Sequence, residues 1–133
     1  MPKVIEELRE KILAKTKEIL LQDGYNALTI RGVSAACGIA AGTVYNYFSS
    51  KDMMVAAVIL EDWLLTLAKM KEAANEAPDV LEGMRGISRE IRAFSGIYEK
   101  TWQQYQAGAG AVSFIRDRHR QLVGQLTEIV AEL

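Results

Sequence analysis

The chain has 133 residues, of which half are hydrophobic and a quarter charged, as in a soluble globular protein with one ordinary domain or a small module plus a partial second one. The single cysteine, Cys37, excludes an internal disulfide framework and fits a reducing compartment. No apolar run is long enough to span a bilayer or to act as a secretion signal. We therefore expect a cytoplasmic protein without a membrane partner.

The net charge of −1 is divided unequally along the chain. Residues 1–51 carry seven basic and five acidic side chains, whereas residues 52–133 carry nine and twelve. A basic N-terminal part with an acidic remainder is expected when only the N-terminal part meets phosphate groups. The excess is small, however, and an ordinary solvated surface also produces such a division.

The hydrophobic periodicity predicts an all-α chain. Pro2 and Pro78 are the only prolines, and no stretch alternates between apolar and polar residues over the length of a strand. The first predicted helix covers Lys3–Gln22 and ends at Asp23-Gly24, because glycine readily adopts the left-handed conformation that follows a last helical turn. Leu28 lies in the connector after this helix and is predicted to fill the core.

Two short helices follow the connector. Thr29 is a good N-cap for the first helix, Ile30–Cys37, since its hydroxyl can accept a hydrogen bond from an unpaired backbone N–H. Gly38 supplies a sharp turn, and the second helix is predicted over Ala41–Tyr47. Two short helices joined by a tight glycine turn are the signature of a helix-turn-helix, which predicts a DNA-binding protein.

The second short helix has an apolar face and a polar face. Val44 and Phe48 are one turn apart and are expected to face the core. Thr43, Asn46 and Tyr47 are then left facing outward, on the helix that a helix-turn-helix protein places in the major groove.

A long helix, Lys51–Ala77, is predicted next, with Ser50 as its cap. Its residues 53–60 are apolar nearly all round, so we expect this part to be buried on every side. Pro78 ends the helix, and Asp79 can cap the one that follows. The apolar stripe of that following helix consists of Val80, Met84, Ile87, Ile91, Phe94, Tyr98 and Tyr105.

Glycines interrupt this stripe at positions 83, 86 and 96. Glycine inside a helix costs about 1 kcal/mol relative to alanine, so their presence indicates a close helix approach, a kink or a division into two helices. A last helix is predicted from Ser113 to about Glu132.

The residues around the two short helices also match a known pattern. In chain order they are Thr29-x-Arg31, Val33, Gly38-Ile39, Gly42-Thr43-Val44-Tyr45-x-Tyr47-Phe48 and Ser50-Lys51-Asp52. This run, together with the preceding Gly24-Tyr25, resembles the TetR family of bacterial transcriptional regulators. Beyond Met54 only the helical pattern agrees with that family.

The resemblance implies two domains, a three-helix helix-turn-helix DNA-binding domain in residues 1–50 and a helical effector-binding and dimerisation domain in residues 51–133. Family members usually continue for two further long helices that pair across a dimer. We therefore expect that the chain is truncated after Leu133 or that it dimerises through another surface.

The resemblance also implies a set of DNA contacts. Thr43 and the backbone near Ala41-Gly42 would approach bases, while Thr29 and Lys51 would hold phosphates at two helix starts. The complete set comprises Thr29, Arg31, Ala41, Gly42, Thr43, Tyr45, Asn46, Tyr47 and Lys51. Ala40 stands where the family usually has a serine cap, and Ala41 where a basic or polar residue is frequent, so the operator sequence stays open.

Large apolar side chains in the second domain form a candidate effector site. Its members are Trp63, Met70, Met84, Phe94, Tyr98, Trp102, Tyr105 and Phe114, with His119 as a polar neighbour. Ordinary packing of a helical core explains any one of these residues more simply, because the walls of apolar pockets resemble core. A lone histidine among several arginines is likewise more often a boundary residue than a ligand.

We interpret the chain as a TetR-like regulator, most simply a repressor that binds palindromic operator DNA as a homodimer and is released by a small apolar or amphipathic effector. The alternative is a helical ligand-binding or protein-interaction module that keeps the fold without regulating DNA. No catalytic set is present, so an enzyme is the weakest interpretation. Cys37 and His119 are single and far apart, so neither a metal site nor a cofactor is expected.

Overall fold

In the computed structural model the described residues are 2–104, 120–121 and 124–133. They form the helices α1 (Pro2–Asp23), α2 (Ile30–Cys37), α3 (Ala41–Tyr45), α4 (Lys51–Glu76) and α5 (Val80–Gln104), with a 3-10 turn at Tyr25–Ala27 between α1 and α2. Residues 124–131 are also helical. No strand occurs in this part of the chain, so the all-α prediction is confirmed. Each helix that is described is too short or too polar to cross a membrane.

The described residues divide into two compact units. The first contains residues 2–61 and 100–104, and the second contains residues 62–99, 120–121 and 124–133. Helix α4 therefore contributes to both. The assignment of separate functions to residues 1–50 and 51–133 stays a prediction.

The core of the first unit forms where α1 packs on α2 and α2 packs on α3. Its centre consists of side chains with no more than 1% of their surface exposed: Ile12, Leu20, Leu28, Val33 and Val44. Leu28 fills this core as predicted, although it lies outside any helix. The three helices are therefore held together by apolar burial, which contributes about 1.5–3 kcal/mol for each side chain of this size.

Local hydrogen bonds set the helix ends in the first unit. The Thr29 hydroxyl accepts from the Gly32 amide at 2.9 Å, so α2 begins and ends where the sequence predicts. Gly38 adopts the left-handed conformation, with φ 69° and ψ 33°. Gly24 also has a positive φ, 90°, but its ψ of 170° lies outside the left-handed helical region that the sequence predicts for it.

Two predictions about helix extent and burial need correction. Helix α3 ends at Tyr45 rather than Tyr47, because residues 46 and 47 form a turn. Residues 53–60 are not buried on every side: Met53 is 41% exposed, whereas Met54 and Val55 have no exposed surface. An apolar residue on the outer face of a helix stays exposed to water when no other part of the protein covers it.

The second unit has a core of large side chains on α4 and α5. Trp63, Leu67 and Met70 lie buried along one face of α4. On α5 the described part of the predicted stripe is buried at Ile87, Phe94 and Tyr98. Its beginning is on the surface, where Val80 is 58% and Met84 is 44% exposed.

Helix α5 runs unbroken through its three glycines, so the predicted division into two helices is not observed. The predicted close approach is observed at two of the three glycines. A Cβ atom at Gly86 would lie 2.9 Å from the Ala73 Cβ, and one at Gly83 would lie 2.6 Å from the Leu133 Cδ2. A Cβ atom at Gly96 would meet nothing within 4 Å.

The glycines of α5 provide a matched test of this packing. We expect Gly86→Ala to lower the free energy of unfolding by about 1–3 kcal/mol, because the new methyl group would press α5 away from Ala73. Gly96→Ala should raise it by about 0.5–1 kcal/mol, since alanine favours the helix and has open space there. Urea unfolding followed by circular dichroism measures both, and equal effects of the two substitutions would contradict the close approach.

Candidate nucleic-acid interface

Helix α3 is anchored on the first unit by its apolar face. Val44 has no exposed surface and Phe48 is 6% exposed, as the sequence predicts. The turn that precedes α3 is closed by two backbone hydrogen bonds, from the Gly38 amide to the Ala35 oxygen at 3.2 Å and from the Ile39 amide to the Ser34 oxygen at 3.0 Å. The angle between α2 and α3 is therefore fixed by packing and by the backbone together.

None of the residues predicted to contact DNA is buried. Those with exposed side chains or backbone are Thr29, Arg31, Gly42, Tyr45 and Asn46, and those that are half-buried are Ala41, Thr43, Tyr47 and Lys51. Tyr45 is 54% exposed, which is unusual for an aromatic side chain that serves only packing. All nine lie in the first unit, so the fold is compatible with one shared surface.

The first turn of α3 has no side-chain cap. Ala40 occupies the N-cap position, and the turn is closed only by backbone bonds, with the Thr43 amide donating to the Ala40 oxygen at 3.0 Å. A Cβ atom at Gly42 would meet nothing within 4 Å. The backbone at this point is therefore accessible from outside the protein.

The N-cap of α2 uses the Thr29 hydroxyl as an acceptor and does not use its hydrogen. The oxygen accepts from the Gly32 amide, so the hydroxyl proton is not needed for the cap. A Cβ atom at Gly32 would lie 2.9 Å from that oxygen. Because glycine has no Cβ, Gly32 leaves space for this cap. This role was not predicted from the sequence.

Lys51 is held over an aromatic ring. Its Nζ lies 3.9 Å from the centroid of the Tyr25 ring, and the Tyr25 hydroxyl donates a hydrogen bond to the Asp52 carboxylate. Burial lowers the pKa of Lys51, and the neighbouring Asp52 carboxylate partly opposes this shift. The Ser50 hydroxyl accepts from the Met53 amide at 3.2 Å, which confirms the predicted cap of α4. The start of α4 thus presents a fixed ammonium group.

Sequence reasoning missed both aromatic partners of the basic side chains. Tyr25 lies 26 residues before Lys51, and no local spacing relates the two. Arg9 has a similar arrangement, with its guanidinium carbon 5.5 Å from the centroid of the Phe48 ring and its Nη1 3.4 Å from Glu61 Oε1. The available signal was the position of Tyr25 directly after the glycine that ends α1.

Cys37 is a packing residue. It is 4% exposed, and its Sγ lies 3.8 Å from the Lys11 backbone oxygen. Burial raises the pKa of the Cys37 thiol, and Lys11 and Lys15 oppose this shift. Within the described residues, no group of three histidine, cysteine or carboxylate side chains is arranged to hold a metal ion.

The structure brings together part of the candidate effector site in the second unit. The ring centroids of Trp63 and Phe94 are 5.3 Å apart, and those of Phe94 and Tyr98 are 5.4 Å apart. Their polar atoms are paired, because the Tyr98 hydroxyl donates to Asp62 and the Trp63 Nε1 donates to Gln125 Oε1 at 2.6 Å. These contacts are those of a packed core with polar groups at its edge.

The other candidates do not join this cluster in the described part of the structure. Met70 is fully buried, but Met84 is 44% exposed, because it lies on the open first turns of α5. Tyr105, Phe114 and His119 lie outside the described residues, and so does the side chain of Trp102.

Comparison with known proteins identifies the helix-turn-helix. Residues 12–58 match the family described as bacterial regulatory proteins, tetR family. By these residues the N-terminal part of the chain belongs to the TetR family. Proteins of this family are transcription regulators and not enzymes.

Two relatives extend the comparison. The chain is 33% identical over 64 residues to the HTH-type transcriptional regulator UidR of Escherichia coli K12, across 48% of this chain and 33% of UidR. It is 25% identical over 127 residues to the HTH-type transcriptional repressor KstR2 of Mycobacterium tuberculosis, across 88% of this chain and 62% of KstR2. The chain thus spans less than two thirds of the length of either relative.

The fold is similar to solved TetR-family structures. The fatty acid degradation regulator FadR from Bacillus halodurans matches with a TM-score of 0.72 and 20% identity, over 94% of this chain and 67% of FadR. The structure of the ketosteroid transcriptional regulator KstR2 matches with a TM-score of 0.65 and 23% identity, over 91% of this chain and 65% of KstR2. At these identities the similarity is one of fold.

The environment of Lys51 is open to direct measurement. We expect Asp52→Asn to lower the pKa of Lys51 further, because it removes the carboxylate that favours the charged ammonium while burial continues to oppose it. NMR titration of isotopically methylated lysines measures this shift, and a raised or unchanged pKa of Lys51 in Asp52→Asn would contradict this account.

Proposed function

We propose that this chain regulates transcription, most simply as a repressor that binds operator DNA through α3. The observation that supports this proposal best is the pairing of a buried anchor, Val44 of α3 and Phe48 just after it, with an exposed polar edge on the same short segment. A segment built for packing alone would not expose Tyr45 and Asn46 beside a bare glycine backbone.

In this proposal α3 lies in the major groove. The open space at Gly42 lets the backbone approach the DNA closely, and Thr43 and Asn46 are then the nearest side chains to the base edges. Asparagine can pair with adenine through two hydrogen bonds. Tyr45 and Tyr47 reach the phosphates on either side through their hydroxyls. Since Ala40 and Ala41 contribute no polar side chain, specificity depends on these few groups.

Basic and capping groups at two helix starts hold the DNA backbone. The ammonium group of Lys51 is fixed over Tyr25 at the start of α4, and the Thr29 hydroxyl can donate to a phosphate at the start of α2. Helix N-termini favour anions because unpaired N–H groups and the helix dipole point toward them. Arg31 is exposed two residues after Thr29 and adds a further positive charge.

Two copies are proposed to bind one palindromic operator. Helix-turn-helix dimers place their recognition helices about 34 Å apart, in successive major grooves. Bivalent binding raises affinity above that of either copy alone. An effector releases the DNA if it binds more tightly to a form of the dimer in which this spacing is wrong. Helix α4 begins at Lys51, so a displacement of α4 would move a phosphate contact directly.

The proposed effector is a small apolar or amphipathic molecule. The aromatic side chains of Trp63, Phe94 and Tyr98 offer an apolar surface, and Asp62 and Gln125 are polar groups at its edge. The structural neighbours named for fatty acid degradation and for ketosteroids support this chemical class.

The DNA proposal is tested by selecting a duplex for this chain from a random pool and measuring its affinity by fluorescence anisotropy. We expect Lys51→Ala and Tyr47→Phe each to lower affinity by about tenfold, through the loss of one phosphate contact each. Lys51→Ala should also reduce the slope of log affinity against log salt by about 1. Gly42→Ala should abolish tight binding without loss of helicity, because its methyl group has open space in the protein but not against DNA.

Lys69→Ala is the matched control for charge, since Lys69 is exposed on α4 and belongs to the second unit. It should leave affinity and salt slope unchanged. Undiminished binding by both Lys51→Ala and Tyr47→Phe would refute the assignment of the interface. Failure to select any duplex would favour a module that has kept the fold without regulating DNA.

The effector proposal is tested with fatty acids of increasing chain length and with steroid ketones, in a Trp102→Phe background so that Trp63 is the only tryptophan. We expect one class to quench Trp63 fluorescence and to weaken the operator complex. Phe94→Leu should raise the concentration required by about tenfold, because it removes the ring that contacts both Trp63 and Tyr98 and adds no second fluorophore. Leu65→Ala, at a position 63% exposed, should not. A response unchanged by Phe94→Leu would place the effector elsewhere.

A further inference from the structure

Helix α5 carries a row of arginines on the face opposite its core. Arg85, Arg89 and Arg92, with Ser88 and Ala93, line a groove of about 510 Å³ in the second unit. Steps of three and four residues place these five positions on one side of the helix. All five are exposed, so the groove is open to solvent.

The buried face of α5 fixes the side of the helix on which the arginines are exposed. Ile87, Phe94 and Tyr98 are at most 8% exposed, and Phe94 contacts the rings of both Trp63 and Tyr98. Because these side chains fix the rotation of the helix about its axis, the arginines are held toward the groove. Their arrangement is therefore a property of the fold and not only of flexible side chains.

The charge of the groove is concentrated and mostly unpaired. The described part of the second unit has six basic and nine acidic side chains, yet three of the six basic ones line this groove. Arg85 Nη1 lies 2.8 Å from Glu82 Oε1, whereas neither Arg89 nor Arg92 has an acidic partner among the described residues. Like charges three and four residues apart destabilise a helix, and a bound anion would relieve that repulsion.

We propose that this groove binds a small molecule that carries at least two phosphate groups. Guanidinium groups bind phosphate through paired N–H donors, and arginines on successive turns suit neighbouring phosphates of one ligand. The Ser88 hydroxyl can donate a further hydrogen bond. The volume falls within the range of about 300–1,000 Å³ that is typical of small-molecule sites.

The test is calorimetric titration of the whole chain with ADP, with inorganic pyrophosphate and with adenosine. ADP and pyrophosphate are expected to bind with one-to-one stoichiometry and with an affinity that falls as salt rises, while adenosine should not bind. The double substitution Arg89→Gln with Arg92→Gln should lower the affinity by about tenfold or more. Circular dichroism should show unchanged helicity, because both side chains are exposed.

Two matched variants separate a built site from general attraction of anions. Lys69→Gln with Lys71→Gln removes the same charge from exposed positions of the same unit, and it should change the affinity by less than about twofold. Arg89→Lys with Arg92→Lys keeps the charge but not the paired donors, so the affinity should still fall.

Three results would overturn the proposal. The first is no binding of ADP or pyrophosphate to the unaltered chain. The second is an equal loss of affinity in the arginine and lysine double variants, which would indicate non-specific attraction. The third is tighter binding of a random DNA duplex or an acidic peptide through Arg89 and Arg92, which would assign the surface to a macromolecule. No readout involves the operator, so the failure of either proposal leaves the other standing.

Discussion

The candidate interface depends on the burial of two side chains, Val44 and Phe48. Helix α3 has five residues, which is too short to be stable on its own in water. It exists because these two side chains lie in the core of the first unit and because Gly38 turns the chain in the left-handed conformation just before it. Every polar group on the outer edge of α3 takes its position from this anchor. The candidate recognition surface is thus built on an apolar contact inside the first unit.

Much of the fold could be predicted because the helix ends are encoded by local chemistry. Thr29, Ser50 and Asp79 cap helices through hydrogen bonds to the amides of Gly32, Met53 and Glu82. The positive φ of Gly24 and Gly38 marks the ends of α1 and α2. These signals involve residues no more than four apart, so a single sequence suffices to read them. The end of α3 was predicted two residues late, since no comparable signal follows Tyr45.

The features that could not be predicted join residues distant in sequence. Lys51 over Tyr25 and Arg9 over Phe48 arise only when α1, the 3-10 turn and α4 have been assembled. The exposure of Met84 has the same origin, because a periodic stripe shows which residues share a face but not how far that face is covered. The arginine groove lies on the polar side of an amphipathic helix, where charged residues need no explanation until their pairing is known. The DNA contacts themselves rest on the family pattern.

Adjacent residues at the start of the second unit are tied to different helices. Asp62 accepts from Tyr98 of α5, and Trp63 donates to Gln125 in the helical residues 124–131. Rotation of α4 about its axis would break both hydrogen bonds at once, and each involves a side chain that is at least partly buried, where an unpaired polar group is costly. This pair of bonds therefore opposes rotation of α4 about its axis beyond residue 61. This part of α4 can move only together with α5 and the helical residues 124–131.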